Sequence, residues 1–200
     1  MFVAFFRNNH PVQYAWLVVI ALLLWANALV CNPLPFQPSD SFLFSMLAGW
    51  CSHVPYFSVS LGFLLILAEA LLLNYVVDKN EVIERKSTLP ALMYLFWVSS
   101  FPCFQNLNSV LIANLFLILS FHNSLASFRK EDANAQLFNA AFWLSIGSLF
   151  YVQVLIFVPL LFFGLIIFRT FNPKEWFITI VGILLPYFFL FTWFYWHDGI

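Results

Sequence analysis

The sequence predicts an all-α fold, a polytopic transmembrane helix bundle of about seven helices with a cytoplasmic N-terminus. Three observations predict it. Hydrophobic residues make up 63% of the 200 positions and charged residues 8%, a balance that a soluble globular domain does not keep. Apolar runs of helical length recur along the chain, separated by short polar segments. The eight Lys and Arg residues fall in four places: Arg7; Lys79, Arg85 and Lys86; Arg129 and Lys130; Arg169 and Lys174. These are the N-terminus and the segments after the second, fourth and sixth runs, which seven alternating crossings bring to one side. The positive-inside rule makes that side cytoplasmic, sends "HDGI" (His197–Ile200) outward, and places a multi-pass protein in the inner, cytoplasmic membrane. With a net charge of −1 and no continuous basic face, the chain has the lipid bilayer and no nucleic acid among its expected partners.

The first run, Tyr14–Val30, follows "MFVAFFRNNHPVQ", where Phe2, Phe5 and Phe6 beside Arg7 suit an interfacial lead-in or a partly ordered terminus. "NALVC" (Asn27–Cys31) has the wrong residue, Val30, for a lipoprotein box, so the helix is read as retained. An outer loop, Cys31–Pro55, comes next. Pro33, Pro35 and Pro38 keep its start extended, and Ser39 or Asp40 caps a short helix through "SFLFSMLAGW". That helix carries Phe42, Leu43, Phe44, Met46, Leu47 and Trp50, so it lies on the membrane surface or docks onto the bundle. Asp40 is the loop's one carboxylate, either a helix cap or an acid held at the membrane surface. Cys31, Cys51 and Cys103 all fall on the outer side, where a Cys31–Cys51 bridge and three small buried hydrophobes are both open readings.

The second run, Tyr56–Val77, contains Glu69, a carboxylate costing about 2.5–3.5 kcal/mol at the bilayer centre. Ser58, Gly62 and Glu69 follow one another at spacings of four and seven, which aligns them on one stripe. Such a stripe faces inward, because small residues admit a neighbouring helix and the acid needs a partner. As a structural group Glu69 ties helices together, for instance to Asn114 or Asn139. As a functional one it is a proton or cation site, or it binds a polar headgroup.

The middle runs, Leu89–Phe104, Leu107–Phe121, Leu137–Tyr151 and Val154–Phe168, are shorter than the roughly 20 residues of an untilted span. They pair as hairpins turned at "SFPCFQNLNS" (Ser100–Ser109), with Pro102, Asn106 and Asn108 as turn residues, and at "FYVQV" (Phe150–Val154). Full crossing with local thinning is expected, although re-entrant hairpins would leave the cations on the same side. Asn114, His122 and Asn139 are candidates to line an intramembrane cavity. Ala141, Ser145 and Ser148 form a packing stripe on the fifth run. The seventh run, Glu175–Trp196, carries another in Thr179, Gly182 and Pro186. No His-x-x-x-His, Cys-x-x-Cys or Gly-rich phosphate loop occurs, so neither metal nor cofactor is expected.

"LPALMYLFWVSSFPCF" (Leu89–Phe104), "IANLFLILSF" (Ile112–Phe121), "LFNAAFWLSIGSLFYVQVLIF" (Leu137–Phe157) and "FRTFNPKEWFITIVGILLPYFFLF" (Phe168–Phe191) together resemble an uncharacterised multi-pass membrane protein family of the Bacteroidota. "RTFNPKEW" (Arg169–Trp176) is the most specific phrase. The resemblance runs the whole length and implies a single transmembrane domain over residues 1–200 that is the N-terminal part of a longer chain. More loosely, a first helix, an outer-loop acid before a surface helix, and the rhythm of "AAFWLSIGSLFYVQVLIFVPLLFFGLIIFR" (Ala140–Arg169) and "EWFITIVGILLPY" (Glu175–Tyr187) are similar to polyprenyl-lipid-dependent glycosyltransferases of the GT-C type. That likeness implies a polyprenyl-phosphate lipid as ligand and Asp40 as catalytic base, deprotonating an acceptor hydroxyl as it attacks a lipid-phosphate sugar.

Three functional readings stand. The first is a non-catalytic membrane subunit packing with membrane-protein partners in cell-envelope assembly. The others are a GT-C-like glycosyltransferase resting on Asp40 and a small-solute or proton-coupled transporter resting on Glu69.

Overall fold

A computed structural model describes residues 11–30, 41, 43–46, 55–83, 87–128, 130, 132–168 and 172–198. Among these the secondary structure is helical throughout. The α-helices of eleven or more residues are α1 Pro11–Val30, α2 Pro55–Lys79, α3 Leu89–Ser99, α4 Ser109–Ser127, α5 Asn134–Phe150, α6 Phe157–Phe168 and α7 Pro173–Asp198. Three stretches are long and apolar enough to cross a membrane: Phe57–Lys79 in α2, Ser109–Ser127 and Pro173–His197 in α7. Val12–Ala26, Leu89–Ser99 and Val152–Ile167 are apolar but shorter.

Local chemistry sets the ends. Expected to run to Phe104, α3 stops at Ser99, because Pro102 forces Phe101 into an extended conformation (φ −103°, ψ 114°) before a 3-10 turn, Pro102–Phe104. The sixth run divides similarly: Tyr151 is extended (φ −148°, ψ 103°), Val152–Ile156 winds as a 3-10 helix, and α6 starts at Phe157. Asn108 opens α4, its side-chain oxygen accepting the Val110 N–H at 3.1 Å. Asn172 does the same for α7, accepting from the Lys174 N–H at 3.2 Å, with Pro173 in the first turn and Glu175 at the helix's positive end. The phrase "FNPKEW" is thus a helix-start signal.

The chain forms two compact units, Met1–Ile112 and Ala113–Ile200. In the first, α1 contributes Leu17, Ala21, Trp25 and Ala28, spaced so that one face is inward, against Val59, Ile66 and Ala70 of α2 and Ala91 and Leu95 of α3. Ser58, Gly62 and Glu69 are buried, as the sequence stripe requires. A Cβ at Gly62 would stand 3.0 Å from the backbone of Asn106 and Leu107, so the turn before α4 rests directly on α2. Residues 43–46 are helical, with Phe44 buried and Met46 exposed.

The second unit is organised around α5, whose Leu137, Ala140, Ala141, Leu144, Ser145, Gly147 and Ser148 are buried. At Gly182 of α7 an added Cβ would lie 2.9 Å from both the Phe138 carbonyl oxygen and the Ala141 Cβ. The two helices therefore meet through small residues at backbone distance. Thr179, Gly182 and Pro186 are all buried, as the packing stripe predicts.

Candidate functional site

The polar side chains of the first unit lie in three layers that join its helices. In the first, near the charged end of α2, Thr88 Oγ1 donates to Gln13 Oε1 at 3.0 Å. Beside it Asn74 Nδ2 donates to the Tyr14 hydroxyl at 3.3 Å and to Asp78 Oδ2 at 3.2 Å. Gln13, Asn74 and Thr88 are buried, while Asp78 is half-buried. Deeper along α2, the Tyr94 hydroxyl of α3 donates to Glu69 Oε2, and Glu69 is fully buried. In the third layer the Trp25 indole N–H donates to Ser99 Oγ at 3.1 Å. Every pair among α1, α2 and the start or body of α3 thus shares at least one polar tie.

Glu69 is where physical chemistry demands a partner, because a carboxyl group costs about 2.5–3.5 kcal/mol at the bilayer centre, and the Tyr94 hydroxyl is one. Tyr94 was missed by sequence reasoning. It is the one tyrosine of α3, and the α2–α3 hairpin brings the two helices together antiparallel, so a hydroxyl donor near mid-helix was a readable signal.

Asn114, half-buried on α4, and Asn139, exposed on α5, belong to the second unit, whereas Glu69 belongs to the first. Asp40, Cys31, Cys51 and most of the outer loop lie outside the described residues, as does the side chain of Cys103. Among the described residues no three His, Cys, Asp or Glu side chains gather as metal ligands.

Hydroxyls in the second unit reach across to backbone and, in one pair, to another hydroxyl. Ser120 donates to the Ala140 carbonyl and Ser145 to the Ile183 carbonyl, each at 2.7 Å, and the Ser148 and Tyr187 hydroxyls meet at 2.6 Å. These contacts fix helix register.

No curated protein and no solved structure matches the chain. The stretch 41–199, which carries Glu69 and Tyr94 but not α1, matches the family of unknown function DUF6427, and the chain belongs to that family.

Proposed function

We propose that this protein is a non-catalytic, multi-pass subunit of the inner membrane that packs with membrane-protein partners in cell-envelope assembly. The observation that carries this reading is the use made of the buried polar groups. Glu69, Trp25, Gln13 and Asn74 hold neighbouring helices together, as Ser120 and Ser145 do further along. A helix-tying network favours a scaffold over a reaction centre or a permeation path. The four cationic segments set its orientation, with the N-terminus cytoplasmic and seven alternating crossings. The phrase "RTFNPKEW" supports kinship with multi-pass proteins of the Bacteroidota.

The test is native mass spectrometry of the full chain extracted from its own membranes into lipid nanodiscs. A subunit runs as a stoichiometric complex with other membrane proteins and retains it in the Asp40→Asn and Glu69→Gln variants. A chain that runs alone and consumes a polyprenyl-phosphate sugar, losing that activity in Asp40→Asn, is a glycosyltransferase instead. Proton-coupled uptake abolished by Glu69→Gln makes it a transporter.

A further inference from the structure

The second unit contains a cleft of about 440 Å³ between α4 and α6, within the roughly 300–1,000 Å³ of ligand pockets. Leu117, Phe121, Leu125 and Phe128 form one wall, and Leu160, Gly164 and Ile167 are among the residues of the other. Helix α6, "FVPLLFFGLIIF", has no polar side chain on any face, and Leu160, Phe163 and Ile167 are 51–70% exposed along its lip. A helix apolar all round belongs in hydrocarbon, so the phase at the mouth of the cleft is the lipid interior.

Two further features select the occupant. The wall from Leu117 to Phe128 is roughly 16 Å long at helical rise, the depth of one leaflet of a hydrocarbon core about 30 Å thick. One end is also cationic. Ser120 bonding to Ala140, with the Gly147 Cβ position 3.2 Å from the Ala113 carbonyl oxygen, makes α4 and α5 antiparallel. The Gly164 Cβ position lies 3.2 Å from the Phe128 ring, so α4 and α6 finish at the same end. Exposed Lys130 stands there, two residues beyond Phe128, with its N–H on the Ser127 carbonyl. Exposed Lys174 follows α6 at the same end, beside Trp176, whose ring contacts Phe162.

We infer that the α4–α6 cleft binds one acyl chain of an anionic phospholipid, with the phosphate held at the Lys130 end. The cleft supplies shape for the chain and the lysines supply preference for the negative headgroup. This site does not depend on the subunit reading: a transporter or an enzyme could carry it equally.

The experiment reconstitutes the full chain in phosphatidylcholine nanodiscs with a small fraction of phosphatidylglycerol bearing a photoactivatable acyl chain, and maps the crosslinks by peptide mass spectrometry. Saturable labelling is expected at Leu117, Phe121 and Leu125, competed by unlabelled phosphatidylglycerol and not by phosphatidylcholine. Leu160→Trp, which fills the mouth, should reduce that labelling at least tenfold. Lys130→Gln, at an exposed position, should leave chain labelling in place but lower the preference for the anionic lipid roughly fivefold, the worth of one cation near an anionic surface. Labelling spread equally over the exposed face of α7, or displaced equally by phosphatidylcholine, reduces the cleft to ordinary lipid contact and overturns the proposal. Protection of the cleft from every lipid overturns it too, because a protein segment then fills it.

Discussion

The two compact units solve helix association differently. In the first, recognition runs from side chain to side chain: Gln13 with Thr88, Tyr14 with Asn74, Glu69 with Tyr94, Trp25 with Ser99. In the second, helices approach mainly through small residues, with the hydroxyls of Ser120 and Ser145 donating to backbone carbonyls and one side-chain pair, Ser148 with Tyr187, meeting at its hydroxyls. Stacked aromatics fill the remaining space, with Phe116 lying between Trp143 and Phe150 at 5.6 and 5.7 Å. Lipid tails give two helices no hydrophobic reason to meet, so each unit needs a substitute. The first uses paired polar groups, which are intolerant of chemical change. The second uses close approach, which is intolerant of added volume.

The largest effect should come from Trp25, which fills the centre of the first unit, packs edge-on against Phe63 at 5.7 Å and bonds to Ser99. Trp25→Ala should destabilise the protein by about 3–5 kcal/mol, measured by denaturant titration in detergent micelles. A value below 1 kcal/mol would mean that the indole is peripheral to that core. Next is the converse change in the second unit. Gly182→Leu sets a side chain where even a Cβ stands 2.9 Å from the Phe138 carbonyl oxygen. It should lose about 1–3 kcal/mol or more by forcing α5 and α7 apart. If Gly182→Leu is harmless while Trp25→Ala is severe, the contrast between the units fails.

The acid–phenol pair sharpens the comparison further. Tyr94→Phe removes the hydroxyl donor to Glu69 without changing ring packing, and should cost about 1–2 kcal/mol. In a double-mutant cycle with Glu69→Leu the two effects should be strongly non-additive. Additive losses would show that the two groups stabilise the helices independently.

The all-helical class was legible in the sequence because composition and the length of the apolar runs constrain it directly. Inward faces were legible too: Ser58, Gly62 and Glu69 are buried as their spacing requires. What pattern does not encode is the axial register between two helices, and Tyr94 opposite Glu69 is a register fact. The expected end of α3 at Phe104 failed for a local reason, since Pro102 outweighed the apolar run around it. Asn139 was a different miss. It precedes Ala141 by about 200° of helix rotation, so the buried stripe of Ala141, Ser145 and Ser148 turns it outward, and that stripe is visible in the sequence.

The smallest expected effect belongs to Ser145→Ala, about 0.6 kcal/mol, and its smallness follows from the geometry. The Ser145 hydroxyl donates to the Ile183 carbonyl, whose helical partner is the N–H of Tyr187, four residues on. Pro186 deprives the Gly182 carbonyl of its usual donor, not that of Ile183. Removing the hydroxyl therefore leaves the Ile183 oxygen with a hydrogen bond, and the alanine leaves no buried polar group behind. Tyr94→Phe differs because the acceptor that loses its donor is a fully buried carboxyl group. Unfolding free energies of Ser145→Ala and Tyr94→Phe under one set of detergent conditions test this ordering. Equal losses would mean that the side-chain hydroxyl, and not the close approach at Gly182, sets the α5–α7 contact.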